Sequence, residues 1–409
     1  MQTYFFYLAI ILLSYGISKA YRYLWSNKAG KSGQAIMIVM TMLLFVKGFG
    51  TCGTDIWNGY YADYMSATSL SSIPDQSTEI GYRLLAVVCR NLFGDGYWMY
   101  ILLLSVLTII PIGWIIYRYR DTVDFPVALI FYTAVFYIQG FSLIRINLAA
   151  SIALLAYDAV LRNKPWKALA IIGISMLFHR TMICVLLPYG MYYVKKLSPK
   201  RITVITILVF ILICFGRSLL SIFLAGRYSI YGIKEDIDIG IMQFLYYVPL
   251  LVIYFVMHPY EENKECARLE YCFLISGLFF GMIGYIVPIL GRLQTAFLPL
   301  FLVAARGIWV IKKNNLNMIT EINKRIITPI NNALLAVEKW KASRLSSEQT
   351  GGDTDRLQIK FFPERYISLE ACAQICFVLY CVARYSIYIF EYYNLDGIMP
   401  YTNIFGWII

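Results

Sequence analysis

The chain has 409 residues, of which 59% are hydrophobic and only 15% charged, with a mean hydropathy of +0.63; this is more apolar side chain than one soluble core encloses. Its formal net charge of +12 would suit a nucleic-acid partner, but in so apolar a chain basic residues at helix ends are the orientation signal of a membrane protein, and no nucleic acid is expected. Nine cysteines follow no CxxC or His-paired spacing, which indicates no metal site, no disulfide framework and no cofactor.

In lipid only a helix or a closed barrel satisfies its own backbone, and continuous apolar runs favour helices. The sequence therefore predicts an all-α, polytopic bundle of about 10 to 12 transmembrane helices. Expected spans are 4–24, 34–49, 97–117, 125–142, 147–161, 201–216, 241–257, 270–290, 293–311 and 366–391, with an unusual run at 166–194. The first is too long and too aromatic for a signal peptide and lacks a small-residue cleavage site. Lys19, Arg22, Lys28 and Lys31 place the next loop in the cytoplasm. Residues 50–80 hold Asp55, Asp63, Asp75 and Glu79 without Lys or Arg, so that loop is expected outside. An amphipathic helix starts after Glu79, whose carboxylate is expected to cap it. Arg118 and Arg120, then Arg162, Lys164 and Lys167, mark two inward turns, and Asp158 should pair with Arg162 at i+4.

The run 166–194 places His179 and Arg180 at the middle of ISMLFHRTMICVLLPY. As a single crossing it would send two basic regions outside: Lys195, Lys196, Lys200 and Arg201, and the 312–365 loop with ten Lys/Arg against six Asp/Glu. As a hairpin turning at His179-Arg180 it keeps both inside. Each arm has about 13 residues, roughly 20 Å of helix, so the hairpin must be sheltered by protein. With that parity Arg145, Arg227, Arg292, the 50–80 loop and the tail NLDGIMPYTNIF all reach the outer side. Intramembrane or interfacial arginines commonly line a cavity, and their convergence marks a site. His258 falls on the cytoplasmic side as an interfacial residue. Three regions follow: a transmembrane core at 1–311 with the external loop 50–80, a cytoplasmic basic amphipathic loop at 312–365, and a last helix with an external tail at 366–409.

GTDIWNGYYADY, EIGYRLLAVVCRNLFG, LIRINLAASIALLAYDAVLRNK, ISMLFHRTMICVLLPY, GRYSIYG, GRLQTAF and the terminal MPYTNIF, in this order, resemble successive motifs of the EpsG family, the Wzy-like polymerases of bacterial exopolysaccharide and capsule. The sequence departs from the family pattern in its long 312–365 insert and in having Ile146-Asn147 where an Arg-Gln pair is usual. The resemblance implies a multi-pass protein of the bacterial cytoplasmic membrane. It would transfer an oligosaccharide repeat unit from polyprenyl (undecaprenyl) pyrophosphate to a growing chain at the outer face, without a metal. Implied partners are the lipid-linked oligosaccharide, the bilayer and other membrane proteins of polysaccharide assembly.

Breaking a sugar–pyrophosphate bond calls for cations where the leaving group gains charge, and for a base at the attacking hydroxyl. His179, Asp55, Arg145 and Arg292 are the expected catalytic residues, with the base open among His179, Asp55 and Glu79. Arg180, Thr54, Tyr61, Glu79, Tyr82, Arg227 and Tyr401 are expected to bind substrate, although tyrosines, Tyr60 included, also furnish interfacial belts. Two other functions use the same cations: a flippase or transporter of the lipid-linked glycan, and a ligase that moves finished glycan to another acceptor.

Overall fold

The computed structural model describes residues 1–24, 31–53, 55–69, 71, 79–194, 198–215, 241–284, 286, 288–314, 369–391 and 397–408. Among them the fold is helical, with only isolated bridges at Gly50–Asn403 and Thr402–Ile408. In chain order the helices are α1 (Gln2–Leu24), α2 (Lys31–Gly48), α3 (Tyr61–Ser66), α4 (Ile80–Phe93), α5 (Tyr97–Tyr119), α6 (Phe125–Phe131), α7 (Ile144–Leu161) and α8 (Pro165–Met176). There follow α9 (Leu186–Tyr193), α10 (Pro199–Phe215), α11 (Ile241–Met257), α12 (Lys264–Ile283), α13 (Pro288–Gly291), α14 (Leu300–Lys313) and α15 (Leu369–Glu391).

Six of these helices are long and apolar enough to cross a membrane: α1, α2, α5, α7, α12 and, over Ala371–Phe390, α15. The expected total of 10 to 12 is not established. Helices α10, α11 and α14 have 17, 17 and 14 residues, near or below the ~18–20 that a perpendicular crossing needs. The run 125–142 divides into α6, a π-helical turn at Tyr132–Tyr137 and a 3-10 turn at Gln139–Phe141. Helix α12 starts earlier than hydropathy suggests because Asn263 caps it, its Oδ1 accepting from the Cys266 N–H at 3.0 Å. Helix α14 starts later than expected because 292–296 forms a 3-10 turn ahead of Pro299.

Polar residues fasten the two ends of the bundle differently. At the end rich in Arg and Lys, Asp124 caps α6, pairs with Arg22 and accepts from Gln374, while Arg22 lies 5.2 Å over the Trp309 ring; α1, α6, α14 and α15 are thereby tied together. Asp158 pairs with Arg162 at 2.8 Å as expected, and also with Arg118 at 3.4 Å. Glu270 is fully buried against Arg306 at 2.6 Å. A buried pair of this kind sets register more than it adds net stability, because desolvation offsets most of its attraction.

At the opposite end, residues 397–408 dock on 49–53. The Thr51 N–H donates to Thr402 O (2.8 Å), the Ile404 N–H to Phe49 O (3.0 Å) and the Gly53 N–H to Gly397 O (2.8 Å). Gly53 adopts φ +118°, and a Cβ there would lie 2.5 Å from Phe141 O, so a residue with a side chain does not fit.

Residues 165–193 reverse direction at His179-Arg180. Arm α8 leads to the turn, and a 3-10 stretch (Arg180–Val185) followed by α9 leads back. At the turn, the Gly81 N–H donates to Leu177 O (2.7 Å). At the far end, Arg268 in the first turns of α12 donates to Val194 O (2.6 Å). The turn therefore shares the end of the bundle that carries the acidic loop, and Val194 shares the basic end. Both arms pack against protein, α8 on α7 and α9 on α12, which shelters their short backbones.

Candidate functional site

The centre of the site is the ion pair of Glu79 with Arg145. Leu143 ends the preceding turn, and α7 begins at Ile144, which puts Arg145 in its first turn. A cation in that position opposes the positive end of the helix dipole and calls for an anion beside it. Glu79 supplies the anion: Arg145 Nη1 donates to its Oε2 at 3.0 Å. Glu79 stands at the N-cap position of α4 in extended conformation, yet its side chain makes no capping bond. The expectation that it caps its own helix is thus corrected. Its carboxylate is drawn instead to the guanidinium and to the Arg180 backbone N–H, which donates to Oε1 at 3.4 Å. One carboxylate joins the start of α4, α7 and the hairpin turn.

Close approach of α4 to the turn depends on Gly81. A Cβ there would lie 2.7 Å from Leu177 O and 2.9 Å from Leu177 Cβ, so a larger residue would push the two segments, and with them Glu79 and Arg180, apart. Aromatic rings form the rest of the Arg145 cradle. The guanidinium carbon lies 5.6 Å from the Tyr60 ring centre and 5.7 Å from that of Tyr82, within cation–π range. Those rings are 5.4 Å from each other, and Tyr82 is fully buried. Asp63, one turn beyond Tyr60, is half-buried. Burial raises its carboxyl above the usual value, and the charge of Arg145 draws it partly back.

At the turn, His179 is extended (φ −157°, ψ 112°) and partly buried, with Thr181 Oγ1 2.6 Å from its Nδ1. Arg180 is exposed. Arg292 is exposed on its 3-10 turn, which packs against 180–185 and α7. Asp55 is exposed just ahead of the π-helical turn Ile56–Tyr60, where its charge bears on the Tyr60 phenol. Tyr61, beside it, is 37% exposed, with its ring edge-on to Tyr97 at 5.1 Å.

Of the residues expected from sequence, Glu79, Tyr82, Arg145, His179 and Arg180 come together, and the segment bearing Arg292 packs against them. Asp55 and Tyr61 flank them through Tyr60. Tyr401 lies elsewhere: buried to 3% exposure, it donates to Val46 O (2.9 Å) and packs 4.7 Å from Phe6, in the docked tail. Thr54, Arg227 and nearly all of the 312–365 loop lie outside the described residues.

Two further polar groups gain significance from the structure. Asp63 had been only one acid of a loop; its i+3 spacing from Tyr60 on a short helix is the signal that turns it toward Arg145. Lys47 ends an apolar run, where a lysine ordinarily snorkels to water, yet it is only 4% exposed. Among the described residues no three His, Cys, Asp or Glu side chains converge as a metal site would require.

The family model described as the EpsG family matches residues 34–324. That interval holds every described member of the cluster and excludes the docked tail. No curated protein and no solved structure matches the chain.

Proposed function

The chain belongs to the EpsG family, and from that membership we propose that it is a polysaccharide polymerase of the bacterial cytoplasmic membrane. It joins polyprenyl-pyrophosphate-linked oligosaccharide repeat units into an exopolysaccharide or capsular chain at the outer face. The observation that carries this reading is the Glu79 bridge between the Arg145 guanidinium (3.0 Å) and the Arg180 backbone N–H (3.4 Å). It is an anion held on a guanidinium at a junction of three segments, beside buried rings.

A pyrophosphate oxygen has the charge and geometry to share these donors. In the reaction the acceptor hydroxyl oxygen bonds to the anomeric carbon, and the bond from that carbon to the phosphate oxygen breaks. The electron pair leaves with the pyrophosphate, and the hydroxyl proton passes to a base. Arg145, with Arg180 and Arg292 on the neighbouring turns, holds the leaving group as its charge grows. His179 at the turn is the base this reading favours, its ring held at Nδ1 by Thr181. Glu79 pairs with Arg145, and Asp63 lies within reach of the same charge. Tyr60, Tyr61 and Tyr82 offer stacking faces for sugar.

Deletion of the protein followed by sizing of the lipid-linked glycan tests the assignment. Accumulation of single repeat units exposed on the outer face is the expected result. Retention of those units on the cytoplasmic face would instead make the protein a flippase, and full-length glycan on the polyprenyl carrier a ligase.

A further inference from the structure

Lys47 sits at the end of α2, next to the docked tail, and is 4% exposed. Its Nζ is buried and has no hydrogen-bond partner among the described residues. A bare ammonium in a protein interior is costly unless an anion joins it. The chain does not send this lysine to the surface. Its stem instead runs to Gly140, where an added Cβ would crowd Nζ. Asn147 reaches the same glycine, its Oδ1 3.4 Å from the position of that Cβ. Gly140 belongs to the 3-10 turn that leads directly into α7. The buried cation therefore faces the N-terminal turn of an 18-residue helix, the end that attracts anions. Arg145 and Asn147, two residues apart, point to different sides of that turn: Arg145 to Glu79, Asn147 to Lys47.

We propose that Lys47 and the first turn of α7 form an anion-binding niche that takes a phosphate group of the lipid-linked pyrophosphate, with Arg145 on the other side of the same turn. The inference rests on the polymerase reading for the identity of the ligand. The tail closes over this end of α2 through Tyr401 on Val46 O (2.9 Å) and Ile404 on Phe49 O (3.0 Å).

The test uses purified full-length protein in phosphate-free maltoside micelles, with farnesyl pyrophosphate as the probe and farnesol as the uncharged control. Lys47→Met should weaken farnesyl pyrophosphate binding at least tenfold, leave farnesol binding unchanged, and raise the melting temperature of the ligand-free protein, because it removes an unpaired buried charge. Lys47→Gln gives the same reading if the Met variant does not fold. Arg145→Gln separates the two claims. Weakened binding in Arg145→Gln alone overturns the Lys47 niche and leaves the polymerase site standing; unchanged binding in both overturns both. Phosphatidylglycerol that competes with the probe through Lys47 at equal strength would reassign the niche to a lipid headgroup. A lower melting temperature for Lys47→Met, with affinity unchanged, would make Lys47 an ordinary core residue.

Discussion

Replacing Arg145 with Gln removes three contacts at once, and their sizes can be set from the geometry. The ion pair with Glu79 spans 3.0 Å, with side chains 24% and 14% exposed; discounted for solvent screening it contributes about 1 kcal/mol. The two ring contacts, at 5.6 and 5.7 Å, add about 0.5 kcal/mol each. Loss of all three is about 2 kcal/mol, or roughly 30-fold in the population of correctly joined segments at 1.4 kcal/mol per tenfold. Loss of phosphate contacts comes on top of this. Arg145→Lys keeps the charge but not the planar fork, and should cost about 1 kcal/mol in the same assay. The measurement is a double-mutant cycle with Glu79→Gln, reading thermal unfolding in detergent and the initial rate of chain extension. The expected coupling is about 1 kcal/mol in stability. Strict additivity, with Arg145→Gln extending chains at the unmodified rate, would refute the pair as the organiser of the site.

Gly81→Ala places a Cβ 2.7 Å from Leu177 O, so chain extension should fall at least tenfold while the protein stays in the membrane; a normal rate would show that the α4–turn apposition is dispensable. For Asp63, the raised carboxyl means that the folded state binds its proton more tightly than the unfolded one. Stability is then lost as pH rises from the usual carboxyl range through the raised value, and the penalty stands in full above it. Asp63→Asn should therefore raise the melting temperature at pH 8 and leave it nearly unchanged at pH 4; a lower melting temperature at pH 8 would reverse the assigned sign. Reporters fused after Lys196 and after Ser346 should be cytoplasmic and one after Ala67 external, and an external signal at Lys196 contradicts the hairpin orientation. His179→Gln should abolish turnover while farnesyl pyrophosphate still binds, and full turnover would pass the role of base to Asp55 or Glu79.

The helical membrane class was legible because backbone satisfaction in lipid leaves few choices once apolar runs approach 20 residues. The hairpin was legible for an electrostatic reason: only a reversal at His179-Arg180 kept Lys195, Lys196 and Arg201 with the other basic turns. Helix limits were less so. Hydropathy averages over Lys264, Glu265 and Arg268, which are nonetheless helical because Asn263 caps them. It also runs through Arg292–Ala296, which is a 3-10 turn rather than part of α14.

In the site, Arg145 and the turn stand out in sequence by residue type, but which groups they meet is a tertiary matter. Glu79 looks like a cap in sequence because it precedes an amphipathic helix, and only the approach of α7 shows that its carboxylate serves another element. Tyr401 offers a ring and a hydroxyl of the kind that binds sugar, but its hydroxyl donates to Val46 O in the docked tail. Lys47 was hidden for the opposite reason, since a lysine ending an apolar helix ordinarily reaches water, and nothing local shows that Gly140 makes room for it.

The most direct measurement reconstitutes the purified protein in lipid vesicles with polyprenyl-pyrophosphate-linked repeat units as the only sugar source, and follows chain length and release of free polyprenyl pyrophosphate together. The account predicts a ladder of lengthening glycans, one polyprenyl pyrophosphate released per unit joined, and neither product with Arg145→Gln. Repeat units that cross the bilayer without lengthening, or a ladder that persists unchanged in Arg145→Gln, would contradict it.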